Sequence, residues 1–200
     1  MTEFVYEVTD VPASEGPTPW QTVGPFFHYA LPFPAGSAVV GSERQGAFTL
    51  HGFVYDGHGD PLPDALVEVW QADESGRFHD QPGIFEEPAP GGFRGFGRSA
   101  TGADGHYTFT TVKPAGVPTE DGHEQAPHIA MSVFARGMLR RVVTRVYFES
   151  DPALDADPLL SSVDPQRRDT LVAGSDENGY RFDVRLQGDG ETVFLDVSAH

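Results

Sequence analysis

Glycine and proline interrupt this chain often enough to make it a succession of short runs. There are 23 glycines and 17 prolines in 200 residues. Most of the excess falls at Pro12–Pro34, Gly57–Pro63, Pro82–Gly97 and Pro114–Pro127. Proline removes a backbone donor and fixes φ, while glycine loses the most conformational freedom on ordering, so neither favours the interior of a regular element. Short apolar runs between such punctuation favour an all-β sandwich or barrel.

The runs themselves read as strands. "FTLHGFVYD" (48–56) and "ALVEVWQAD" (65–73) flank the Gly/Pro turn "GHGDPLP". In "GHYTFTTVKP" (105–114) Tyr107, Phe109 and Thr111 alternate with Thr108, Thr110 and Val112. "HIAMSVFAR" (128–136) and "MLRRVVTRVYFE" (138–149) read as a hairpin joined at Gly137. "YRFDVRLQG" (180–188) turns Tyr180, Phe182, Val184 and Leu186 inward, and "ETVFLDVS" (191–198) closes the chain after a second hairpin turn. One short helix is expected within 158–174, starting near Asp164-Pro165, where Asp caps and Pro suits the first turn. The expectation is a two-sheet sandwich of about seven to eight strands over residues 48–200. Residues 1–47, with Phe26, Phe27, Tyr29 and Phe33 among six prolines, form an extended, irregular N-terminal arm too aromatic for disorder and suited to an interface.

Charge narrows the partners. The formal charge is −17, with the single lysine Lys113 against twelve arginines, which leaves no electrostatic footprint for nucleic acid or an anionic membrane. Arginine gathers late, at Arg136, Arg140, Arg141, Arg145, Arg167 and Arg168. A positive locus there could hold an anionic ligand, although solvated strand faces explain most such arginines. With no cysteine, disulfides, thiolate metal sites and cysteine nucleophiles are excluded. No segment approaches the roughly 20 apolar residues of a membrane span, and the acidic "MTEFVYEVTD" start does not read as a signal peptide, so a cytoplasmic protein is expected.

Familiar catalytic patterns are missing. His28, His51, His58, His79, His106, His123, His128 and His200 form no HxH, HExxH or HxxxH pair. There is no GxSxG and no Walker or Rossmann glycine pattern. Ferric sites also use tyrosinate with imidazole, yet the Gly76–Arg98 loop holds Phe78, Phe85, Phe93 and Phe96 and no tyrosine. His128 opens a strand and shares a face with Ala130, Ser132 and Phe134. A metal-binding strand often repeats its histidine two places on, and Ala130 stands there. His128 is thus a ligand, the remnant of a site, or a buried structural histidine.

Five segments taken together decide among these. "QTVGPFFH" (21–28), "LHGFVYDGHGDPLPDALVEVWQADESGRF" (50–78), "FRGFGRSATGADGHYTFTTVKP" (93–114), "APHIAMSVFARG" (126–137) and "YRFDVRLQGDGETVFLDV" (180–197) resemble the intradiol ring-cleavage dioxygenases over nearly the whole chain. Asp189 departs from the family's glutamate, without evident consequence. The resemblance implies opening of a small aromatic acid by O2 on one non-haem ferric ion held by two tyrosinates and two histidines. It is strongest to the α chain of a two-chain member, whose catalytic β chain holds the iron while α has lost it. His128 matches the first histidine, Ala130 the second, Phe85 one tyrosine and Val117 the other.

One neutral imidazole cannot hold Fe³⁺, a hard ion that needs several ligands and anionic oxygens. The resemblance therefore implies no catalytic residue and no metal in this chain, ferric iron in a β partner, and a higher-order hetero-oligomer of αβ units. It also assigns Thr22, Gly24, Pro25 and Phe26 to the outer wall of the partner's substrate cleft, and Arg136 to the substrate's carboxylate. Plainer roles stand beside these: a turn shaped by Gly24-Pro25, and a pairing of Arg136 with a neighbouring acid. Two rival readings are a stand-alone transthyretin-like binding module and a self-sufficient catechol dioxygenase. The aromatic arm counts against the first, and Phe85, Val117 and Ala130 against the second.

Overall fold

A computed structural model describes residues 21–22, 24, 26–41, 43–79 and 85–196. Residues 1–20 of the N-terminal arm, with 23, 25 and 42, therefore lie outside the described residues. The strands are β1 Phe48–Tyr55, β2 Leu66–Trp70, β3 Phe96–Ala100, β4 His106–Thr111, β5 Val117–Pro118, β6 Glu124–Gln125, β7 His128–Phe134, β8 Val142–Phe148, β9 Val172–Asp176, β10 Gly179–Arg181 and β11 Val184–Arg185. Two short helices, α1 Phe27–Ala30 and α2 Pro158–Ser162, complete the regular structure apart from two 3₁₀ turns.

The all-β expectation holds, but two separate sheets do not form. One sheet runs β4–β1–(β10, β11)–β9–β8–β7–β2–β3, with β5 and β6 as a separate hairpin. The would-be halves of a sandwich are joined by a short parallel ladder, Tyr147↔Val172 and Phe148↔Ala173. Side-chain periodicity reports which face a residue takes, not which strand lies beside it, so this joint left no mark in the sequence. β10 and β11 lie end to end along one edge of β1, broken at Phe182-Asp183. The break has a local cause. Gly52 of β1 has no Cβ, and a Cβ there would overlap the Phe182 carbonyl oxygen, which also accepts from the Tyr107 hydroxyl.

Residues 36–41 nearly close the sheet. Val39 N–H donates to Thr110 O (2.9 Å) on β4, while Arg94 N–H donates to Val39 O and Arg98 N–H to Gly36 O, both at 2.8 Å. The same segment thus satisfies the free edges of β3 and β4, which an open sheet would expose. The Arg94 side chain, 2% exposed, fixes this stitch. Its guanidinium donates to the carbonyls of Ala35, Gly36, Glu86 and Phe96 at 2.7–3.0 Å.

Inside the sheet, Leu50, Tyr107, Phe109, Ile129, Met131 and Phe148 are fully buried in one core. The alternation expected for 105–114 is observed through Thr111, with Tyr107, Phe109 and Thr111 buried and Thr108 and Thr110 exposed, but Val112, expected beside Thr108 and Thr110, is buried just past the strand. A second, smaller cluster of Ala126, Tyr147, Leu160 and Leu171 involves α2. The capping chemistry expected at Asp164-Pro165 occurs one motif earlier. Asp157 accepts from Leu159 and Leu160 N–H groups with Pro158 in the first turn, and Asp164 instead starts a turn. The rest of the expected helical stretch holds β9, and residues 191–196 run as hydrogen-bonded irregular chain rather than a strand. Among the described residues no helix is long and apolar enough to cross a membrane.

Candidate functional site

A row of three side-chain positions crosses the sheet: Trp70 on β2 pairs with Ala130 on β7, which pairs with Arg145 on β8. Ile129, Met131 and Val133 point to the core, so His128 and Ala130 face outward. On this outer face lies a cleft of about 290 Å³, lined by Trp70, Phe78, Val117, His128, Ala130 and Arg145 with a few neighbours. Alanine, the smallest side chain of the row, leaves the floor open.

The walls are held by specific polar contacts. Phe78 lies parallel to Trp70, with ring centroids 6.2 Å apart and 4° between planes. The loop that carries Phe78 winds around Asp73, whose carboxylate accepts from Ser75 N–H (2.8 Å), Arg77 N–H (3.0 Å) and His79 Nε2 (2.6 Å). Burial alone would raise the Asp73 carboxyl, but hydrogen bonds from His79, Ser75 and Arg77 outweigh it and hold it well below the usual range. Val117 sits on the β5–β6 hairpin opposite Gln125.

His128 Nδ1 donates to the Ala126 carbonyl at 2.8 Å, so Nε2 is the unprotonated nitrogen of the neutral ring. Burial, then the nearby Arg145 charge, push its pKa down to about 4. Arg145 Nη1 donates to Tyr147 Oη (3.3 Å), and that hydroxyl donates to Asp157 Oδ1 (3.0 Å). Burial pushes the Tyr147 phenol up to about 12, so it remains a donor to Asp157. Asp157 is fully buried and ties the network to the main chain through Ala126 N–H at 2.9 Å. The cleft thus presents a fixed cation, a neutral imidazole and an aromatic wall.

Of the residues singled out from sequence, Val117, His128 and Ala130 meet in this cleft. Phe85 stands outside it, 59% exposed and edge-on to Phe33 of the arm at 5.1 Å, with Arg98 over both rings. Thr22 is exposed, Gly24 adopts φ +71°, and Phe26 is 75% exposed, while Pro25 lies outside the described residues. Arg136 follows the opposite end of β7 from His128, where its exposed guanidinium pairs with Asp64 at 3.1 Å. Trp70, Phe78 and Arg145 were not singled out. Arg145 is one of several late arginines in sequence, and only the β7–β8 register sets it beside Ala130.

The Dioxygenase family matches residues 37–188. The chain belongs to the intradiol dioxygenases. It is 41% identical to the protocatechuate 3,4-dioxygenase alpha chain of Burkholderia cepacia, covering 90% of this chain and 97% of that one. The beta chain from the same organism is 36% identical over 76% of this chain and 69% of its own length. A solved relative, the dioxygenase domain of a dioxygenase carbohydrate-binding protein fusion from Streptomyces sp. SirexAA-E, is 29% identical with a TM-score of 0.58, covering 86% of this chain and 99% of that one. Intradiol dioxygenases are iron-dependent, and this cleft does not fit the ion. It offers one imidazole, no phenolate and a guanidinium, and no group of three or more His, Asp or Glu suited to a metal exists among the described residues.

Proposed function

We propose that this chain is the alpha-type subunit of a protocatechuate 3,4-dioxygenase, which converts protocatechuate and O2 into 3-carboxy-cis,cis-muconate. The observation that carries the reading is the cleft itself: three of the positions aligned with the family's iron donors gather there, and only His128 has a donor atom. The ring-opening chemistry then belongs to a beta-type partner that holds ferric iron, and this chain alone is inactive. Homology to both the alpha and the beta chain supports a hetero-oligomer of such units. The arm supports the same partner, because Phe26 and Tyr29 are 75% and 74% exposed, and aromatics so exposed mark surfaces meant to be covered. Thr22, Gly24, Pro25 and Phe26 would then line the partner's substrate cleft. Arg136, whose exposed guanidinium pairs with Asp64 among the described residues, would be placed to take the substrate's carboxylate. A chain without cysteine needs no oxidising compartment, which fits a cytoplasmic enzyme.

The test is co-expression with a beta-type chain. The pair should carry iron and cleave protocatechuate, and this chain alone should carry no stoichiometric iron and show no turnover. Turnover with one iron per chain in its absence would overturn the assignment.

A further inference from the structure

Arg145 is a cation in a strongly acidic protein, yet no carboxylate among the described residues pairs with it. Arg44, Arg98, Arg136 and Arg181 each have one, at Glu74, Glu68, Asp64 and Asp183. The hydrogen-bond partner of Arg145 is the Tyr147 hydroxyl, and Asp157 is engaged through Tyr147, Ala126 and the start of α2. The side chain lines the cleft. A half-buried guanidinium with unused donors is suited to a planar, bidentate anion.

The rest of the cleft says which anion. Trp70 and Phe78 are 40% and 54% exposed and stack in parallel beside the guanidinium's strand row. A bare inorganic anion would leave both rings in water, whereas a ligand ring would cover them. The volume of about 290 Å³ suits a single-ring ligand and lies near the lower end for small-molecule pockets. His128 is neutral and adds no competing charge, and with the metal donors gone nothing here performs chemistry on what binds.

We propose that the cleft formed by Trp70, Phe78, Val117, His128, Ala130 and Arg145 is a non-catalytic binding site for a small aromatic carboxylate. The site is complete within this one chain and does not rest on the assignment of a beta-type partner. Occupancy would cover the exposed Trp70 and Phe78 rings, so the ligand is held there rather than transformed.

The experiment is a titration of the full-length chain, alone and with any chain that copurifies with it, with 4-fluorobenzoate followed by 19F NMR. One saturable equivalent per chain is expected. Arg145→Gln should weaken that equivalent at least tenfold, and Trp70→Ala, at an exposed position, should weaken it severalfold if Arg145→Gln does not fold. Any binding at a partner's own site survives both substitutions, which keeps the two sites apart. Equimolar phosphate should not displace the probe, and unlabelled benzoate should. The proposal is overturned by an absence of saturable binding, by full binding in folded variants, or by phosphate displacing as well as benzoate does, which would mean a general anion hole.

Discussion

Ala130 on β7 stands in register with Arg145 on β8, so the position that would supply a second histidine ligand faces a guanidinium. Loss of a donor and presence of a cation reinforce each other, because a positive charge beside a site disfavours a metal ion and favours an anion. Restoring the donor alone should therefore fail. Ala130→His should bind Co2+ no better than the parent chain, while Ala130→His with Arg145→Gln should bind at least tenfold tighter. Titration followed by the Co2+ visible bands reads the difference. Equal affinity for the single and double variants would show that the cation plays no part.

Arg94 is the second cation whose surroundings set its role. Burial lowers its pKa, and the partners it donates to are four carbonyls, with the Phe33 ring 5.3 Å from its guanidinium carbon. Arg94→Met should destabilise the fold by about 3 kcal/mol, since four carbonyls lose a charged donor. Arg94→Lys should recover little, because one ammonium cannot reach what the planar fork spans. Urea denaturation measures both. A near-neutral Arg94→Lys would mean that the stitch between residues 35–39 and β3 holds without the fork.

How much of this was legible in the sequence depends on whether a feature is local. The alternation that buries Tyr107 and Phe109, the outward face shared by His128 and Ala130, and the pairing of β7 with β8 all follow from period-2 patterns and turn residues. Of the four positions that the family resemblance matches to ligands, Val117, His128 and Ala130 line one cleft and Phe85 does not. Pairing partners distant in sequence were invisible. Nothing local in "VVTRVYF" distinguishes Arg145 from Arg141, and nothing in "LVAGSD" announces the parallel ladder of β9 with β8. The helix start was misplaced by one motif because Asp157-Pro158 and Asp164-Pro165 carry the same local signal. Burial of Asp157 against Ala126 and Tyr147 makes the first of them the helix start.

His128 gives the stability a pH dependence of known sign. The folded ring titrates at about 4, against an ordinary value of 6.5. Below pH 6.5 the unfolded chain takes up a proton that the folded ring refuses until about pH 4, so stability falls as pH drops through that window. The loss should approach an order of 3 kcal/mol at its acid end. His128→Asn keeps a donor for the Ala126 carbonyl and removes the titration. The difference between parent and variant unfolding free energies should thus narrow between pH 6.5 and 4. A constant difference across the window would show that His128 is free to protonate in the folded protein.

Asp157 joins three parts of the structure with one buried carboxylate, and its two oxygens have separable tasks. Oδ1 accepts from Leu159 N–H, Leu160 N–H and the Tyr147 hydroxyl, while Oδ2 accepts from Ala126 N–H, two residues before His128. Asp157→Ala removes every acceptor and strands buried donors, so it should cost about 3 kcal/mol or more. Asp157→Asn can keep the Oδ1 set but turns an NH2 toward Ala126 N–H, which places donor against donor and should cost roughly 1–3 kcal/mol. Tyr147→Phe removes one hydroxyl, at about 1 kcal/mol, and frees Arg145 Nη1 from the side chain that anchors it among the described residues. The expected order of loss in urea denaturation is Asp157→Ala, then Asp157→Asn, then Tyr147→Phe. Tyr147→Phe should also loosen 4-fluorobenzoate binding more than its small stability loss accounts for, since an unanchored guanidinium must be ordered again when the carboxylate arrives. If Asp157→Asn matches the parent in stability, the Ala126 contact contributes nothing, and the cleft is not held from behind by α2.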